Sequence, residues 1–159
     1  MPNLAFLSAT ELSPLVETGD VDPRDLTRVF LDRAGGEGRA LNCFITLCKE
    51  SALAEASAAA ERVRTKSRRG PLDGIPVAVK DNMDVAGVPT SNGFGGAPYR
   101  IPDRDSEVVR RLRAAGAIIL RGRYDIRGAF LAVSMAFRLV GLAIGCLHGV
   151  AGAVIGMVV

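Results

Sequence analysis

The sequence predicts an α/β fold, namely part of a mixed sheet with helices packed against it. Two short apolar runs, 75–79 and 117–120, have the length and the β-branched content of buried strands. The segments around them repeat apolar residues at helical spacing and begin at residues that cap helices. A strand, a helix and a second strand in this order form a βαβ-like unit, so we expect the two strands to lie parallel.

Three helices are expected before the first strand, over about 10–17, 23–34 and 50–66. Ser8 or Thr10 can cap the first, and Asp22 followed by Pro23 is a typical start for the second. The third is rich in alanine and contains no helix breaker. Between the second and third helices, residues 41–47 (LNCFITL) are β-branched and aromatic, which predicts a short extended segment.

A single lysine stands where the first predicted strand ends. The strand 75–79 follows two turns, and Pro76 falls near its start, where a missing backbone donor is tolerated. Lys80 comes next, and a loop rich in glycine, with hydroxyl groups at Thr90 and Ser91, follows it. Burial at such a position can lower the pKa of a lysine, and its neutral amine can then act as a base near neutral pH.

A less specific interpretation of Lys80 stays open at this point. Most lysines at strand ends are solvated or pair with a neighbouring acid, and Asp81 and Asp84 are close in sequence. Perturbed ionisable groups mark functional sites in only a fraction of cases. The residues alone therefore predict a candidate base and leave its role open.

The second half of the βαβ-like unit is predicted after the loop. A helix is expected over about 105–115 and ends at Gly116, and the buried strand 117–120 (AIIL) follows. The buried face of this helix would consist of Val108, Val109, Leu112 and Ala115, with Arg110, Arg111 and Arg113 facing water. Both strands would then end on the side that carries Lys80, where open α/β sheets bind ligands.

Composition restricts the possible classes of function. The net charge is +3 with both signs mixed, and the basic run 62–69 contains no interleaved aromatic residues. We therefore interpret this run as a solvated helix end, where cations complement the helix dipole, and predict no nucleic-acid partner. The three cysteines, Cys43, Cys48 and Cys146, lack metal-ligand or redox spacing. Their odd number and the absence of a signal peptide at the start predict a cytoplasmic, reducing compartment.

The stretch 70–93, GPLDGIPVAVKDNMDVAGVPTSNG, resembles the amino-terminal signature of the amidase signature family. The usual form of that signature is close to G-P-L-x-G-(I/V)-P-(V/I)-x-(V/L)-K-D-x-x-(D/N)-(V/T)-x-G-x-x-T-(S/T)-x-G, and the match has no gap. The segment 102–123, PDRDSEVVRRLRAAGAIILRGR, is similar to the helix and strand that follow it in the family. The predicted α/β fold then corresponds to the amino-terminal portion of an amidase-type mixed sheet flanked by helices.

The resemblance implies a chemistry and a site. In the family, the lysine of the V-K-D segment is the base of a Ser–cis-Ser–Lys triad, so this role falls on Lys80. The implied reaction is hydrolysis of a carboxylic amide C–N bond, or amide transfer of the kind made by glutamyl-tRNA amidotransferase subunits. The implied substrate is a small-molecule amide, and no metal or organic cofactor is expected.

The resemblance ends soon after the second predicted strand. Where the family has a segment like G-K-T-N-M-x-E-F, residues 122–125 read GRYD, and beyond Gly128 no match remains. The family's G-G-S-S-G-G-S segment, which carries the nucleophilic and bridging serines, is missing. Ser134 lies among apolar residues, Ser91 is interpreted as a turn residue, and His148 has no acid nearby. We therefore expect little or no amidase activity from this chain; the alternatives are a non-catalytic pseudoenzyme or a membrane-anchored interaction protein.

Two parts are predicted from this break: a partial amidase-signature domain, 1–127, and an apolar, glycine-rich tail, 128–159. Arg138 and His148 are the only potentially charged groups in the tail. Residues 139–159 are long enough to cross a bilayer as a helix. Gly141, Gly145 and Gly149 recur there at every fourth position, and Gly152 and Gly156 repeat the spacing. Because the composition changes abruptly near Tyr124, we favour a truncation or reading-frame break over a membrane segment or a buried helix.

Overall fold

A computed structural model describes residues 3–41, 43–91 and 99–121. In chain order, the elements are a 3-10 helix (Leu4–Phe6), α1 (Ala9–Thr18), α2 (Pro23–Gly35), α3 (Glu37–Ala40), α4 (Lys49–Arg64), β1 (Pro76–Val79), α5 (Glu107–Ala114) and β2 (Ile118–Arg121). The fold class is therefore α/β, as predicted, and the expected helices and strands are present. The sequence did not predict the 3-10 helix or α3.

Local capping groups fix the starts of α1 and α2. The Ser8 side chain accepts from the backbone N–H of Glu11, and the Glu11 carboxylate accepts from the backbone N–H of Ser8. This capping box selects Ser8 over the alternative, Thr10, as the cap. Asp22 accepts from a backbone N–H in the first turn of α2 and precedes Pro23 at the first helical position. Both helices therefore begin where the sequence predicts.

The chain between α2 and α4 differs in detail from the prediction. α2 ends at the predicted glycine pair, but α3 starts immediately afterwards. The described residues of the predicted extended segment 41–47 form no strand. A Cβ added at Gly38 of α3 would lie 3.1 Å from the ring of Phe44, so the ring packs on the helix backbone and does not enter a sheet.

The two strands pair in parallel, with Val79 opposite Arg121. α5 lies between them in the chain and belongs to the crossover connection that parallel strands need. The ladder of hydrogen bonds begins one residue before β1, where the N–H of Ile118 donates to the carbonyl of Ile75 (3.0 Å). The predicted parallel βαβ-like unit is therefore confirmed.

The small sheet separates two apolar clusters. One face of the sheet packs against α1, α2 and α4. The buried residues of the cluster on this side are Leu12, Val16, Val21, Leu26, Phe30, Leu31, Ala52, Ala56, Ile75, Ile118 and Leu120. The other face packs against α5 and the loop after β1. The buried residues of this second cluster are Val77, Val79, Val85, Val109, Ala117 and Ile119. Side chains alternate between the two faces along each strand. Because both faces are covered, the strands read as continuous apolar runs in the sequence.

One arginine of α5 does not face water as predicted. Arg110 and Arg111 are exposed, whereas Arg113 is partly buried and forms ion pairs with Glu55 of α4 and with an aspartate before α5. Burial lowers the pKa of the Arg113 guanidinium from its ordinary value. The other oxygen of Glu55 accepts from the backbone N–H of Ile119 (2.8 Å). Arg113 therefore turns inward because a carboxylate of α4 approaches the edge of β2.

The basic run at the end of α4 is only in part the solvated helix end that the sequence predicts: Arg64, Lys66 and Arg69 are exposed, whereas Arg62 and Arg68 are partly buried. Arg62 donates through Nε and Nη2 to the carboxylate of Asp73 (2.8 and 2.6 Å), whose side chain is fully buried. Arg68 donates to the carbonyls of Asp73 (2.9 Å) and Ser13 (3.2 Å). Burial of Asp73 opposes its ionisation, but hydrogen bonds from Arg62 and from the backbone N–H of Arg69 hold its pKa below the ordinary value. Arg62 and Arg68 therefore connect α4 and α1 to the turn before β1.

The predicted tail, 128–159, lies outside the described residues, and so does its possible membrane span, 139–159. Within the ranges 3–41, 43–91 and 99–121, no helix combines the length and the apolar character that a bilayer span needs. The predicted boundary after residue 127 therefore remains an expectation from the sequence.

Arg62→Met is expected to reduce the free energy of unfolding by about 3 kcal/mol, because it leaves a buried carboxylate without its guanidinium partner. Chemical denaturation of the purified chain at neutral pH measures this difference. Arg64→Met is the matched control, since Arg64 pairs with Glu61 at an exposed position of the same helix end. Its loss should change the free energy by less than about 0.5 kcal/mol. Equal effects of the two substitutions would contradict a structural role of Arg62.

Candidate active site

Lys80 directly follows β1 and lies at the carboxyl ends of both strands. The residue is partly buried. The main chain turns immediately after it, because the N–H of Met83 donates to the Lys80 carbonyl (2.9 Å). Lys80 therefore leads from a buried strand into a tight turn. Its place in the fold agrees with the prediction, and its role as a base stays a prediction.

The residue after the lysine belongs to a buried ion pair. Arg121, the last residue of β2, donates from Nη2 to Asp81 Oδ1 (2.7 Å). The exposed fractions of the two side chains are 1% and 4%. Charges this deeply buried are stable only when they are paired and hydrogen-bonded. The pair therefore connects the end of β2 to the chain that follows β1.

Arg121 also contacts the loop further along. Its Nη2 lies 2.8 Å from the carbonyl oxygen of Pro89, 3.0 Å from Thr90 Oγ1 and 3.4 Å from the carbonyl oxygen of Asp81. Nη1 donates to the carbonyl of Met83 (3.3 Å). The two hydrogens on Nη2 serve four acceptors, so these bonds are shared. Nε is buried and has no hydrogen-bond partner in the described part of the chain. We refer to Arg121 and the four residues it contacts as the Arg121 cluster.

Ser91 binds the second oxygen of the Asp81 carboxylate. Its backbone N–H lies 3.1 Å from Asp81 Oδ2, and its hydroxyl donates to the same oxygen. Asp81 therefore accepts from Arg121 on one oxygen and from Ser91 on the other. The Ser91 hydroxyl therefore connects the loop to the residue after Lys80, and the interpretation of Ser91 as a turn residue stays a prediction.

A second ion pair lies on the more exposed side of the loop. Arg100 Nη2 is 2.5 Å from Asp84 Oδ1, and the backbone N–H of Thr90 donates to the Arg100 carbonyl (2.8 Å). The Arg100 guanidinium holds the pKa of Asp84 below its ordinary range. Thr90 Oγ1 lies 3.3 Å from the same Asp84 oxygen. This hydroxyl therefore links the second ion pair to the Arg121 cluster.

From the sequence, Asp81 and Asp84 are possible partners of a strand-end lysine, and in the structure each of them pairs with an arginine. Neither arginine, Arg121 or Arg100, was predicted. A signal was present for Arg121, because a charged residue directly follows the apolar run AIIL and must find an acid if the strand end stays buried. Arg100 offers no comparable signal, since nothing around it in the sequence predicts an ion pair.

Three residues weighed as functional groups, Ser134, Cys146 and His148, lie outside the described residues. In the part of the chain that the structure describes, no three metal-binding side chains come together. Cys43 is exposed, Cys48 is buried, and both are free thiols. Burial raises the pKa of the Cys48 thiol, which makes this cysteine less reactive than an ordinary one.

Ser91→Ala is expected to lower the free energy of unfolding by about 1–2 kcal/mol, because a buried carboxylate loses its hydroxyl donor. Urea denaturation of the two proteins gives the difference. Ser57→Ala on the exposed side of α4 is the control, since that hydroxyl donates only to a carbonyl of the preceding helical turn. The control should stay within about 0.5 kcal/mol of the parent. If both variants behave alike, Ser91 has no special role in holding the loop.

The comparisons with known proteins agree with this architecture. The profile of the family described as Amidase matches residues 25–122. A glutamyl-tRNA(Gln) amidotransferase subunit of Alkaliphilus metalliredigens (strain QYMF) is 43% identical over 97 residues, which cover 61% of this chain and 20% of that protein. A protein of Mycobacterium tuberculosis (strain ATCC 25618 / H37Rv) that bears the name amidase AmiA2 is 46% identical over 119 residues, 74% of this chain and 24% of that protein. The chain thus spans about a fifth to a quarter of the length of these relatives.

Solved structures show the same similarity. The peptide amidase from Stenotrophomonas maltophilia has 35% sequence identity and a TM-score of 0.68, and the match covers 74% of this chain and 25% of that chain. An amidase family protein from Bacillus anthracis str. Ames has 29% identity and a TM-score of 0.66, with 75% and 24% covered. The family profile spans well over half of the sequence and the folds agree, so the chain belongs to the amidase family.

Proposed function

We propose that residues 1–127 are the amino-terminal part of an amide hydrolase in which Lys80 serves as the general base. The observation that carries the proposal is the place of Lys80. It stands within the gap-free signature 70–93, partly buried, at the carboxyl ends of two parallel strands and next to the Arg121 cluster. Open α/β sheets bind ligands at such strand ends. Membership in the amidase family supports the same class of reaction.

The proposed role of Lys80 is to move a proton between two groups. Its amine accepts the proton of a serine hydroxyl as the serine oxygen attacks the amide carbonyl, and the proton later passes to the leaving nitrogen. A lysine can accept a proton only in its neutral form. In the family arrangement that the signature resembles, a second serine bridges the nucleophile and the lysine.

The serines that this reaction needs have no counterpart in the chain. Ser91 binds Asp81, and Ser134 lies in an apolar segment. The glycine-rich serine segment of the family is missing from the sequence. A base without a nucleophile and without oxyanion donors cannot transfer an acyl group by this route. We therefore propose that the 159-residue chain has little or no amidase activity by itself.

The substrate class that we propose is a small carboxylic amide. The names of the relatives, an amidase and one component of an amidotransferase, both refer to amide chemistry. A serine nucleophile and a lysine base together require no metal or organic cofactor. The free thiols at Cys43 and Cys48 support a further proposal, namely that the chain resides in a reducing, cytoplasmic compartment.

A chimera tests the role of Lys80 directly. Residues 1–121 of this chain would replace the matching quarter of the Stenotrophomonas maltophilia peptide amidase, which supplies the rest of the domain. We expect the chimera to hydrolyse a peptide amide. Lys80→Met should lower its kcat by about 10²–10⁴-fold, because the group that accepts the serine proton is lost. Ammonia release at saturating substrate measures both rates.

Lys66→Met in the same chimera is the matched control, because Lys66 is exposed and lies well before β1. It should leave kcat unchanged. An active chimera in which Lys80→Met keeps the parental rate would rule out Lys80 as the base. A folded chimera that releases no ammonia would contradict the proposed reaction.

The complete 159-residue chain should not react with a fluorophosphonate probe, which labels activated serine hydroxyls. In-gel fluorescence after incubation of the native protein measures the reaction, and the parental peptide amidase is the positive control. Labelling of this chain at Ser91 or Ser134 would show that it carries a nucleophile of its own and would overturn the proposed inactivity.

A further inference from the structure

We infer that Arg121 is a positioning residue for Lys80. The inference rests on the proposed role of Lys80 and extends it to a residue that the amidase signature does not contain. The guanidinium at the end of β2 fixes the main chain that follows the lysine at the end of β1. Arg121 acts through this loop and needs no contact with the reacting atoms.

Arg121 binds both ends of the loop that follows Lys80. At the near end, Nη2 donates to the carboxylate of Asp81 (2.7 Å) and lies 3.4 Å from the Asp81 carbonyl oxygen. At the far end, the same nitrogen lies 2.8 Å from the carbonyl oxygen of Pro89 and 3.0 Å from the hydroxyl of Thr90. A single side chain therefore brings the two ends of the loop together.

The same side chain fixes the turn in which Lys80 lies. The Lys80 carbonyl accepts from the N–H of Met83 (2.9 Å), and the Met83 carbonyl accepts from Arg121 Nη1 (3.3 Å). Asp81, the residue after Lys80 in the chain, lies in the same turn, and Arg121 binds its carboxylate. The geometry of the chain after Lys80 thus depends on a residue 40 positions beyond Asp81.

The surroundings of this group favour arginine over lysine. The acceptors are a carboxylate, a hydroxyl and three backbone carbonyls, and they belong to four different residues. The guanidinium reaches these acceptors from two nitrogens, Nη1 and Nη2, held in one plane, whereas an ammonium presents its donors from a single nitrogen. The Arg121 side chain is 1% exposed, so water is not at hand to replace a lost contact. An ammonium in the place of Nη2 would leave the Met83 carbonyl without the donor that Nη1 supplies.

A second buried pair provides a control of the same chemistry. Arg62 and Asp73 lie near the start of β1, at the opposite end of the strand from Lys80. The Asp73 carboxylate, like that of Asp81, accepts from a guanidinium and from a backbone N–H. Loss of either pair destabilises the fold. Only loss of the Arg121–Asp81 pair should alter the surroundings of Lys80.

The test uses the complete chain, which contains three lysines, Lys49, Lys66 and Lys80. The native protein is treated with a limiting amount of an amine-reactive acetyl ester, and mass spectrometry gives the ratio of acetylation at Lys80 to that at Lys66. Lys80 is partly buried and Lys66 is exposed, so Lys80 should react more slowly in the parent. The ratio compares two sites in one molecule and therefore cancels differences in reagent.

Arg121→Met/Asp81→Asn removes both charges of the pair and leaves no uncompensated ion. We expect the acetylation ratio of this variant to rise about threefold or more as the turn after Lys80 opens locally. Arg62→Met/Asp73→Asn should keep the parental ratio although it loses stability. Circular dichroism identifies the variants that remain folded.

Arg121→Lys is the second variant, which keeps a cation opposite Asp81 and decides the question if the double variant does not fold. Its ratio should lie above that of the parent, because one ammonium cannot replace the guanidinium contacts. An unchanged ratio in every folded Arg121 variant overturns the positioning role, and so does an equal rise in Arg62→Met/Asp73→Asn. If the acetylation ratio rises but the chimera is inactive, the contact between Arg121 and the turn after Lys80 is supported, and only the proposed hydrolase function is rejected.

Discussion

Two buried aspartates, one before and one after β1, set the constraint on which the rest of the structure depends. Asp73 accepts from Arg62 of α4, and Asp81 accepts from Arg121 of β2. A carboxylate in an apolar interior is costly unless it is paired, so folding requires α4, β1 and β2 to come together with both pairs formed. Gly116 belongs to the same constraint, because a Cβ there would collide with the Asp73 carboxylate. The strand that leads to Lys80 is therefore held at both ends by charge as well as by apolar packing.

The described part of the chain builds the strand end, the turn and the polar loop around Lys80 from residues on both sides of α5. The contacts described around Lys80 all lie within residues 80–121. If the proposed function is correct, the surroundings of the base are assembled independently of the nucleophile. The chain would then represent one side of a catalytic site, held in place by the Arg121 cluster, with the chemical step depending on groups that it does not contain.

Local chemistry allowed α1, α2, α4, α5 and the two strands to be predicted from the sequence. The caps at Ser8 and Asp22 satisfy N–H groups within the next few residues, so they act wherever the chain later packs. The alternation along β1 and β2 depends only on the two-residue period of a strand, and their parallel pairing follows from the helix between them. The position of Lys80 at a strand end follows from the same order of elements.

Only the tertiary structure decided which charges are buried and with what they pair. The sequence offers 17 acidic and 20 basic residues, and nothing local selects Asp81 for Arg121 across 40 positions. For the same reason Arg62 and Arg113 were expected in water although they are partly buried against acids of other elements. The sequence determined caps, periodicity and strand order, because these depend on residues a few positions apart. Ion pairing and burial depend on the approach of distant segments, which only the packed chain defines.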